Sequence, residues 1–416
     1  MQRRRPVWLD RGCHRRADHH DDRRAARGRC RRMTTTVPGW REYARKLAEK
    51  IAADGVLTDP AWRNALEHVP RHVFVPRFYE QRPAAGWVET SDDDTGRLEA
   101  VYSDAPLVTA LDKTGDGNHV TVSSSTKPGL MVRMLEALDV RAGHRVLEIG
   151  TGTGYNAGLL AHRLGDGLVY SVDIGAELVR TARERLASLG RTPTLAAVHG
   201  AEGLPDAAPF DRIIVTCSVP SVPWAWAEQV REGGLVLVDV KRGVHAGNLV
   251  LLRRLEDRLE GRFLPKWAGF MAMRDTDDAP PTPRAGTPEL ERGTRSTTRL
   301  DPYPWTATVP WFLAQTRLPR RVTFGYRGAG PAWATFAGDD GSWCAVEISP
   351  GDGGARKVRQ GGPIALWDRF EAVHQQWEEL GRPGWDRFGL TVRQDGHRVW
   401  LDDPNGPHRW SLPPMR

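Results

Sequence analysis

The feature that most constrains the fold is a glycine-rich turn between a short apolar segment and a helical pattern. Residues 145–149 read Arg-Val-Leu-Glu-Ile, and Gly150-Thr151-Gly152-Thr153-Gly154 follows directly. Glycine lets the backbone turn tightly and approach a ligand where a Cβ would collide. A strand that leads through such a turn into a helix is typical of the first unit of a doubly wound α/β sheet.

The segments after this turn alternate between helical and strand patterns. The apolar spacing predicts helices over residues 155–164 and 176–189. It predicts strands over residues 168–172, 195–199, 210–216, 235–240 and 249–252. Such alternation indicates a largely parallel sheet with right-handed crossovers. We therefore predict an α/β fold, with a doubly wound Rossmann-like sheet and an N-terminal cap of helices and loops.

The length and the local composition predict more than one domain, because one core seldom grows beyond about 250–300 residues. We assign residues 33–275 to the α/β domain, 276–300 to a linker rich in Pro, Thr and Gly, and 301–416 to a small α+β accessory domain. Nine of the sixteen tryptophans lie between Trp305 and Trp410. Their simplest interpretation is an aromatic core, and the functional alternative is a recognition surface for a large substrate.

The net charge of +7 comes from the N-terminus. Residues 1–32 hold twelve arginines and four aspartates, a charge of +8, which leaves −1 for residues 33–416. We interpret residues 1–32 as a disordered basic extension, with Met33 as the alternative start of the protein. The folded part therefore lacks the positive charge of a nucleic-acid-binding protein. Four cysteines and the lack of a long apolar run indicate a cytoplasmic protein with no membrane partner.

Acidic residues follow three predicted strands at the edge where a ligand would bind. Glu148 precedes the first glycine, and a carboxylate there suits the ammonium group of a ligand such as S-adenosylmethionine. Asp173 ends the second strand, where an acid can bind ribose hydroxyls, and Glu202-Gly203 follow the third, where such folds hold an adenine edge. Together these features resemble the class I methyltransferases. The predicted cofactor-binding residues are Val122, Glu148, Gly150, Thr151, Gly152, Thr153, Gly154, Asp173, Ile174, Glu202, Gly203 and Thr216.

Further motifs resemble a more specific family, the protein-L-isoaspartate O-methyltransferases. His68–Pro76 is similar to the V-P-R-H-x-F-V-P element of that family, and Tyr102–Leu107 to its Y-x-D-x-x-L. Thr121–Pro128 stands at the position of the family's T-I-S-Q-P. Glu148–Tyr155 matches its E-I-G-T-G-[ST]-G-Y, and Pro209–Thr216 matches its P-F-D-x-I-I-V-T. The resemblance covers residues 38–273.

The resemblance implies that a serine lies between the methyl donor and the substrate carboxylate. By motif, this role falls on Ser123, Ser124 or Ser125, and the sequence leaves the three open. Extra residues precede Pro128, and the segment from Arg77 to Ala100 is longer than in the family and acidic. Both departures affect the acceptor pocket, so the sequence predicts the chemistry more firmly than the substrate.

The predicted reaction requires few catalytic groups. An aspartyl carboxylate, with a pKa near 4, is ionised at neutral pH and attacks a sulfonium methyl without a general base, so the remaining task is positioning. We interpret His68, His72 and His119 as structural, and Cys217 as a core residue. Lys127 has two equal interpretations, a group that attracts the acceptor carboxylate or a solvated charge.

The C-terminal extension and the serine run resemble the subset of this family that tailors ribosomally made peptides. In that subset an aspartate of a cyclised precursor is methylated, and the aspartimide is kept. The resemblance implies an S-adenosylmethionine-dependent carboxyl O-methyltransferase with a peptide or protein partner and no metal. The alternatives are general isoaspartyl repair and a non-catalytic S-adenosylmethionine-binding scaffold. A nucleic-acid methyltransferase is disfavoured, because residues 216–219 read Thr-Cys-Ser-Val where such enzymes carry N-P-P-Y.

Overall fold

The computed structural model of the protein describes residues 39–82, 85–91, 96–113, 119–276, 290–319, 321–328 and 332–412. The basic extension over residues 1–32 and the acidic run at 92–94 lie outside the described residues. Among the described helices, none is long and apolar enough to span a bilayer.

The first part of the chain forms a cap made of short helices and a small antiparallel sheet. Its elements are α1 (Trp40–Ala53), α2 (Pro60–His68), α3 (Arg71–Phe74), β1 (Phe78–Arg82), β2 (Gly86–Thr90), α4 (Arg97–Val101), β3 (Leu107–Lys113) and β4 (His119–Ser125). The strands pair in the order β2-β1-β3-β4. The predicted cap of helices and loops is present, and it also contains this sheet, which the sequence analysis did not predict. The serine run lies on β4, where alternating Thr and Val residues favour an extended chain.

The middle part of the chain contains the predicted doubly wound unit. Its elements are α5 (Pro128–Ala137), β5 (Val146–Ile149), α6 (Tyr155–Leu164), β6 (Val169–Asp173), α7 (Ala176–Ser188), β7 (Thr194–Ala197), β8 (Phe210–Val219), α8 (Trp224–Gln229), β9 (Val230–Lys241), β10 (Gly247–Leu255) and β11 (Arg258–Phe263). Strands β7, β6, β5, β8 and β9 are parallel neighbours in that order, and β10 and β11 continue the sheet antiparallel. Every strand and helix predicted for this region is present.

The last part of the chain divides between two sheets. Its elements are β12 (Thr294–Thr298), α9 (Thr308–Ala314), β13 (Val322–Arg327), β14 (Trp333–Gly338), β15 (Trp343–Glu347), β16 (Arg356–Gly361), α10 (Leu366–Glu379), β17 (Phe388–Arg393), β18 (Gly396–Leu401) and β19 (Arg409–Leu412). Strands β12 to β16 form a five-stranded sheet in the order β12-β16-β15-β14-β13. Strand β17 instead pairs with β11, so β17, β18 and β19 extend the central sheet to ten strands.

The structure therefore differs from the predicted linker and accessory domain. Strand β12 lies within the segment assigned to the linker, and three strands of the assigned accessory domain belong to the central sheet. Packing explains the difference. On β8, Ile214 faces a core shared with the cap helices, whereas Ile213 and Val215 face a core that also contains Trp311 and Phe370 of the last part. One hydrophobic core thus joins the two assigned domains.

Candidate active site

A cavity of about 1390 Å³ opens beyond the ends of β5 and β6. Its lining includes the glycine turn with the neighbouring strand ends, the serine strand β4 with the start of α5, and residues from segments 242–276 and 321–323. Ligands of doubly wound sheets bind at this edge of the sheet. The cavity therefore holds both the predicted cofactor region and the predicted acceptor region.

The glycine turn is closed by a threonine from β8. Gly150 has a φ of 100°, in the region that favours glycine, and a Cβ built on it would lie 2.5 Å from Thr216 Oγ1. The Thr216 hydroxyl donates to the carbonyl oxygen of Gly150 at 2.7 Å and to that of Ile149 at 3.1 Å. A larger side chain at position 150 would separate the turn from β8. The close approach of the turn to Thr216 therefore requires glycine at this position.

Asp173 fixes the same turn from the neighbouring strand. Its carboxylate accepts hydrogen bonds from the backbone N–H of Gly152 at 2.8 Å and of Gly175 at 3.1 Å. Asp173 lines the cavity together with Thr151, Thr153 and Ile174. A half-exposed carboxylate at the end of β6 is placed to accept hydrogen bonds from a hydroxyl-rich ligand such as a ribose.

Glu148 also lines the cavity, but its environment differs from the prediction. The residue is only 1% exposed, and its carboxylate accepts hydrogen bonds from Asn156 Nδ2 at 2.7 Å and from Ser171 Oγ at 2.6 Å. Burial raises the pKa of Glu148 to about 7, and the two hydrogen bonds oppose that rise. The arrangement fits a carboxylate that holds the end of β5 and acts on an ammonium group through its charge. A direct contact with the ligand stays a prediction.

The predicted adenine-edge residues are not among the cavity lining. Glu202 is exposed, and its carbonyl oxygen accepts a hydrogen bond from Gln229 Nε2 at 2.6 Å. Gly203 packs against the same glutamine, with a φ of 68°. Gly200, from the same loop, lines the cavity instead. A role for Glu202 and Gly203 in cofactor binding stays a prediction.

The serine strand approaches the glycine turn through Ser123. A Cβ built on Gly152 would lie 3.8 Å from Ser123 Oγ, and Ser123 is 4% exposed. The Ser123 hydroxyl accepts a hydrogen bond from Thr109 Oγ1 at 3.2 Å, which leaves its own proton for another acceptor. Val122, Ser124 and Ser125 also line the cavity. The geometry therefore favours Ser123 among the three serines that the sequence left open.

A buried arginine that the sequence analysis did not single out holds this strand in place. Arg71 is fully buried and donates to the carbonyl oxygens of Val101, Ser103, Ala105 and Thr126. Burial lowers the pKa of Arg71 to about 10. The side chain thus joins the end of α4 to the end of β4. Its only sequence signal was its place in the His68–Pro76 motif.

Lys127 is engaged with a neighbouring acid. Its Nζ atom lies 3.2 Å from Asp104 Oδ2, and Asp104 Oδ1 accepts a hydrogen bond from the backbone N–H of Gly129 at 2.7 Å. The lysine therefore shields a carboxylate at the start of α5. Lys127 lines the cavity and is also ion-paired. The structure therefore does not choose between a group that attracts the acceptor carboxylate and a solvated charge.

The groups interpreted as structural have structural contacts. His72 Nδ1 lies 2.8 Å from the Tyr102 hydroxyl, and His68 Nδ1 lies 2.9 Å from the Asn64 carbonyl oxygen. Burial raises the pKa of Cys217 to about 12, so this residue is a neutral thiol at neutral pH. Its interpretation as a packing residue agrees with that environment.

A further part of the cavity wall was missed by the sequence analysis. Trp267, Met271 and Val244 line the cavity and are 43%, 40% and 40% exposed, respectively. Arg321 and Val322, from the five-stranded sheet, complete this part. No motif marks these residues, because they meet only after β10, β11 and β13 have been placed.

The fold and this cavity define an S-adenosylmethionine-dependent methyltransferase of the doubly wound class. The glycine turn, Asp173 and Thr216 are held together by hydrogen bonds at the edge of the sheet where ligands of this fold bind. The family model described as "Protein-L-isoaspartate(D-aspartate) O-methyltransferase (PCMT)" matches residues 42–264. The chain belongs to this family and is therefore a protein carboxyl O-methyltransferase.

Named relatives agree with this assignment. The chain is 35% identical over 202 residues to the protein-L-isoaspartate O-methyltransferase of Ignicoccus hospitalis, covering 48% of this chain and 82% of the relative. It is 34% identical over 215 residues to that of Methanosarcina mazei, covering 51% and 76%. A solved structure titled protein-L-isoaspartate O-methyltransferase shares the fold, with a TM-score of 0.50 and 24% identity, over 86% of this chain and 100% of that one.

Proposed function

We propose that this enzyme methylates the free carboxylate of an aspartyl or isoaspartyl residue (the side-chain carboxylate of the first, the α-carboxylate of the second) in a defined peptide partner. In this proposal the ester then closes to an aspartimide during the biosynthesis of a modified peptide. The observation that supports a defined partner is the position in the chain of some residues that line the cavity. Residues 321–323 line the cavity although they lie beyond the residues that the family model matches.

Each group at the cofactor end has a distinct task in this proposal. S-adenosylmethionine supplies, when bound, an electrophilic methyl group on a sulfonium. Asp173 and the turn at residues 150–154 hold the cofactor, and Glu148 contributes negative charge near its ammonium end. Thr216 keeps the turn closed against β8.

Ser123 orients the acceptor carboxylate at the other end of the cavity. Its hydroxyl donates to one carboxylate oxygen and leaves the second oxygen free to form the new bond. A neutral hydroxyl holds the anion less tightly than an arginine would, so the ground state is not stabilised excessively. Ser123 and Ser125 are buried, and lower hydration of a carboxylate bound beside them favours its attack.

The aspartimide step needs no further protein group. In the ester, the backbone nitrogen of the following residue attacks the ester carbonyl carbon. The C–O bond to the methoxy group breaks, the nitrogen loses its proton, and methanol leaves. The ring contains five atoms, and the methyl ester is a better electrophile than the carboxylate that it replaces.

General repair of isoaspartyl residues is the second candidate. The names of the family and of its relatives favour it. The solved structure with that title also covers more of this chain than the family model does. Under repair, the acceptor region would accept many sequences rather than one.

Methyl transfer to a short peptide separates the two candidates. We would offer one short sequence in its isoaspartyl and its aspartyl forms, and follow the mass gain of a methyl ester and the later loss of methanol. We expect slow transfer to both short peptides, since neither supplies the contacts of a defined partner. Brisk transfer to the isoaspartyl form would contradict the tailoring proposal and support repair. The Asp173→Asn variant serves as the control that any signal arises at this site.

A further inference from the structure

Strand β13 is an edge strand that borders the acceptor end of the cavity. It pairs with β14 and stands last in the five-stranded sheet, so within the described residues its other side carries no strand. Arg321, Val322 and Thr323 at its start line the cavity. An open strand edge is a template for pairing with another chain unless a protein covers it.

The hydrogen-bond pattern identifies which residues of β13 face the open side. The Arg321 carbonyl oxygen accepts a hydrogen bond from the Asp339 N–H at 3.1 Å, so odd-numbered residues of β13 bond to β14. In an antiparallel ladder the backbone groups of successive residues point to alternate sides of the strand. The backbone N–H and C=O groups of Val322, Phe324 and Tyr326 therefore point away from β14. No turn, loop or side-chain hydrogen bond to a described residue uses these groups.

Aromatic rings connect the cavity to this edge. We call the series Trp267, His245, Trp305, Phe324 and Tyr326 the aromatic track. Successive ring centroids are 5.8, 5.8, 4.7 and 4.9 Å apart. Both ends are open to solvent, since Trp267 is 43% and Tyr326 65% exposed. Exposed aromatic side chains are enriched where partners dock.

The charge of this wall indicates the chemistry of the partner. Lys266 and Arg321, the chain neighbours of Trp267 and Val322, line the cavity. Among the lining residues of segments 242–276 and 321–323, Asp275 is the acidic one, and it lies 3.9 Å from His199 Nε2. A partner that brings several carboxylates is therefore attracted to this wall.

We propose that the acceptor is an acidic peptide that binds in an extended conformation as an additional strand on the free edge of β13. Its backbone pairs with Val322, Phe324 and Tyr326, its apolar side chains contact the aromatic track, and one carboxylate extends to Ser123. This mode of binding is β-augmentation, in which backbone hydrogen bonds supply affinity and alternate side chains supply specificity. Only the contact between the peptide carboxylate and Ser123 rests on the proposed function.

Hydrogen exchange on the full chain tests the pairing directly. The probe is a labelled synthetic peptide in which aspartate alternates with valine, and its Kd is measured by fluorescence anisotropy. At about a hundredfold excess over Kd, the amides of Val322, Phe324 and Tyr326 should exchange up to about a hundredfold more slowly. The amide of Thr297, on the opposite edge strand β12, should not change. No saturable binding, or binding without this protection, overturns the proposal.

Proline substitutions provide an independent test. Val322→Pro removes an outward N–H, and we expect it to weaken binding of the same peptide roughly five- to tenfold. Val322→Thr keeps the N–H and the side-chain volume, so it should bind within about twofold of the wild type. Thr297→Pro is the matched control, because it places proline at an outward position of β12. Equal binding by all three variants contradicts the proposal. The binding assays involve no methyl transfer, so they stay valid if the proposed reaction fails.

Discussion

The two ends of the cavity are built in different ways. The predicted cofactor end is built from one continuous turn, Glu148–Gly154, together with Asp173 and Thr216 from the two neighbouring strands. The rest of the cavity, which includes the predicted acceptor region on β4, also takes lining residues from 242–276 and 321–323, far apart along the chain. Chemistry shared by a whole class of enzymes resides in a local motif, whereas substrate choice depends on surfaces that only tertiary packing brings together.

The largest expected effect comes from removing the last part of the chain. A chain that ends at Thr276 lacks the strands that cover β11 and exposes Phe263, which packs against Phe312 and Trp385 at 5.4 and 5.2 Å between ring centroids. Each buried aromatic contributes about 1.5–3 kcal/mol, and whole domains are stable by only about 5–15 kcal/mol. We expect no cooperative thermal unfolding by circular dichroism.

The control for this truncation is a chain that lacks residues 1–32 at the other terminus. A chain that starts at Met33 keeps every described residue and should unfold at the same temperature as the full chain. If the chain that ends at Thr276 unfolds cooperatively at the temperature of the full chain, the shared core does not stabilise the catalytic sheet. The two assigned domains would then be independent.

The second largest effect is expected at Asp173. Asp173→Asn removes one of the two acceptors that hold the backbone of Gly152 and Gly175 and weakens the contact to a ribose. Loss of charge-assisted hydrogen bonds of about 1.5–3 kcal/mol predicts a Kd for S-adenosylmethionine raised roughly ten- to a hundredfold. Isothermal titration calorimetry measures it. Glu202→Gln should change the same Kd less than about twofold, because the side chain lies outside the cavity. The reverse ranking would contradict the geometry of this end.

The sequence located the glycine turn, Glu148 and Asp173, which the structure brings together at the cavity, for a physical reason. Local rules govern them, because a turn with positive φ at Gly150 needs glycine and the carboxyl ends of parallel strands meet at one edge. Local rules do not predict the contact between Glu202 and Gln229. The sequence analysis failed for the last part, which was assigned as a whole to a separate accessory domain, although β17, β18 and β19 join the central sheet. Which sheet a strand joins is decided by long-range packing, such as that of β17 against β11.

At the acceptor end, the expected effect of a single serine is smaller. Ser123→Ala removes the hydroxyl nearest to the glycine turn, and we expect kcat for peptide methylation to fall roughly tenfold. KM should change little, since the hydroxyl orients the carboxylate more than it binds the peptide. Ser124→Ala is the comparison, because its side chain projects from the other face of β4. A larger loss of kcat in Ser124→Ala than in Ser123→Ala would reverse the assignment.

The smallest effect is expected from Glu148, where stability and binding should respond in opposite directions. Burial raises its pKa from 4.5 to about 7 in the folded chain. Between these values the folded state keeps a proton that the unfolded state has lost, so the free energy of unfolding falls as the pH rises through this window. Glu148→Gln has no such titration. Above pH 7 we expect it to be more stable than the wild type by on the order of 1 kcal/mol, measured by denaturant unfolding without cofactor. Its affinity for S-adenosylmethionine should fall at the same time, because the buried negative charge that attracts the ammonium group is lost. A variant with unchanged affinity would show that this charge serves only to hold Asn156 and Ser171, and that Asp173 alone supplies the negative charge of the cofactor end.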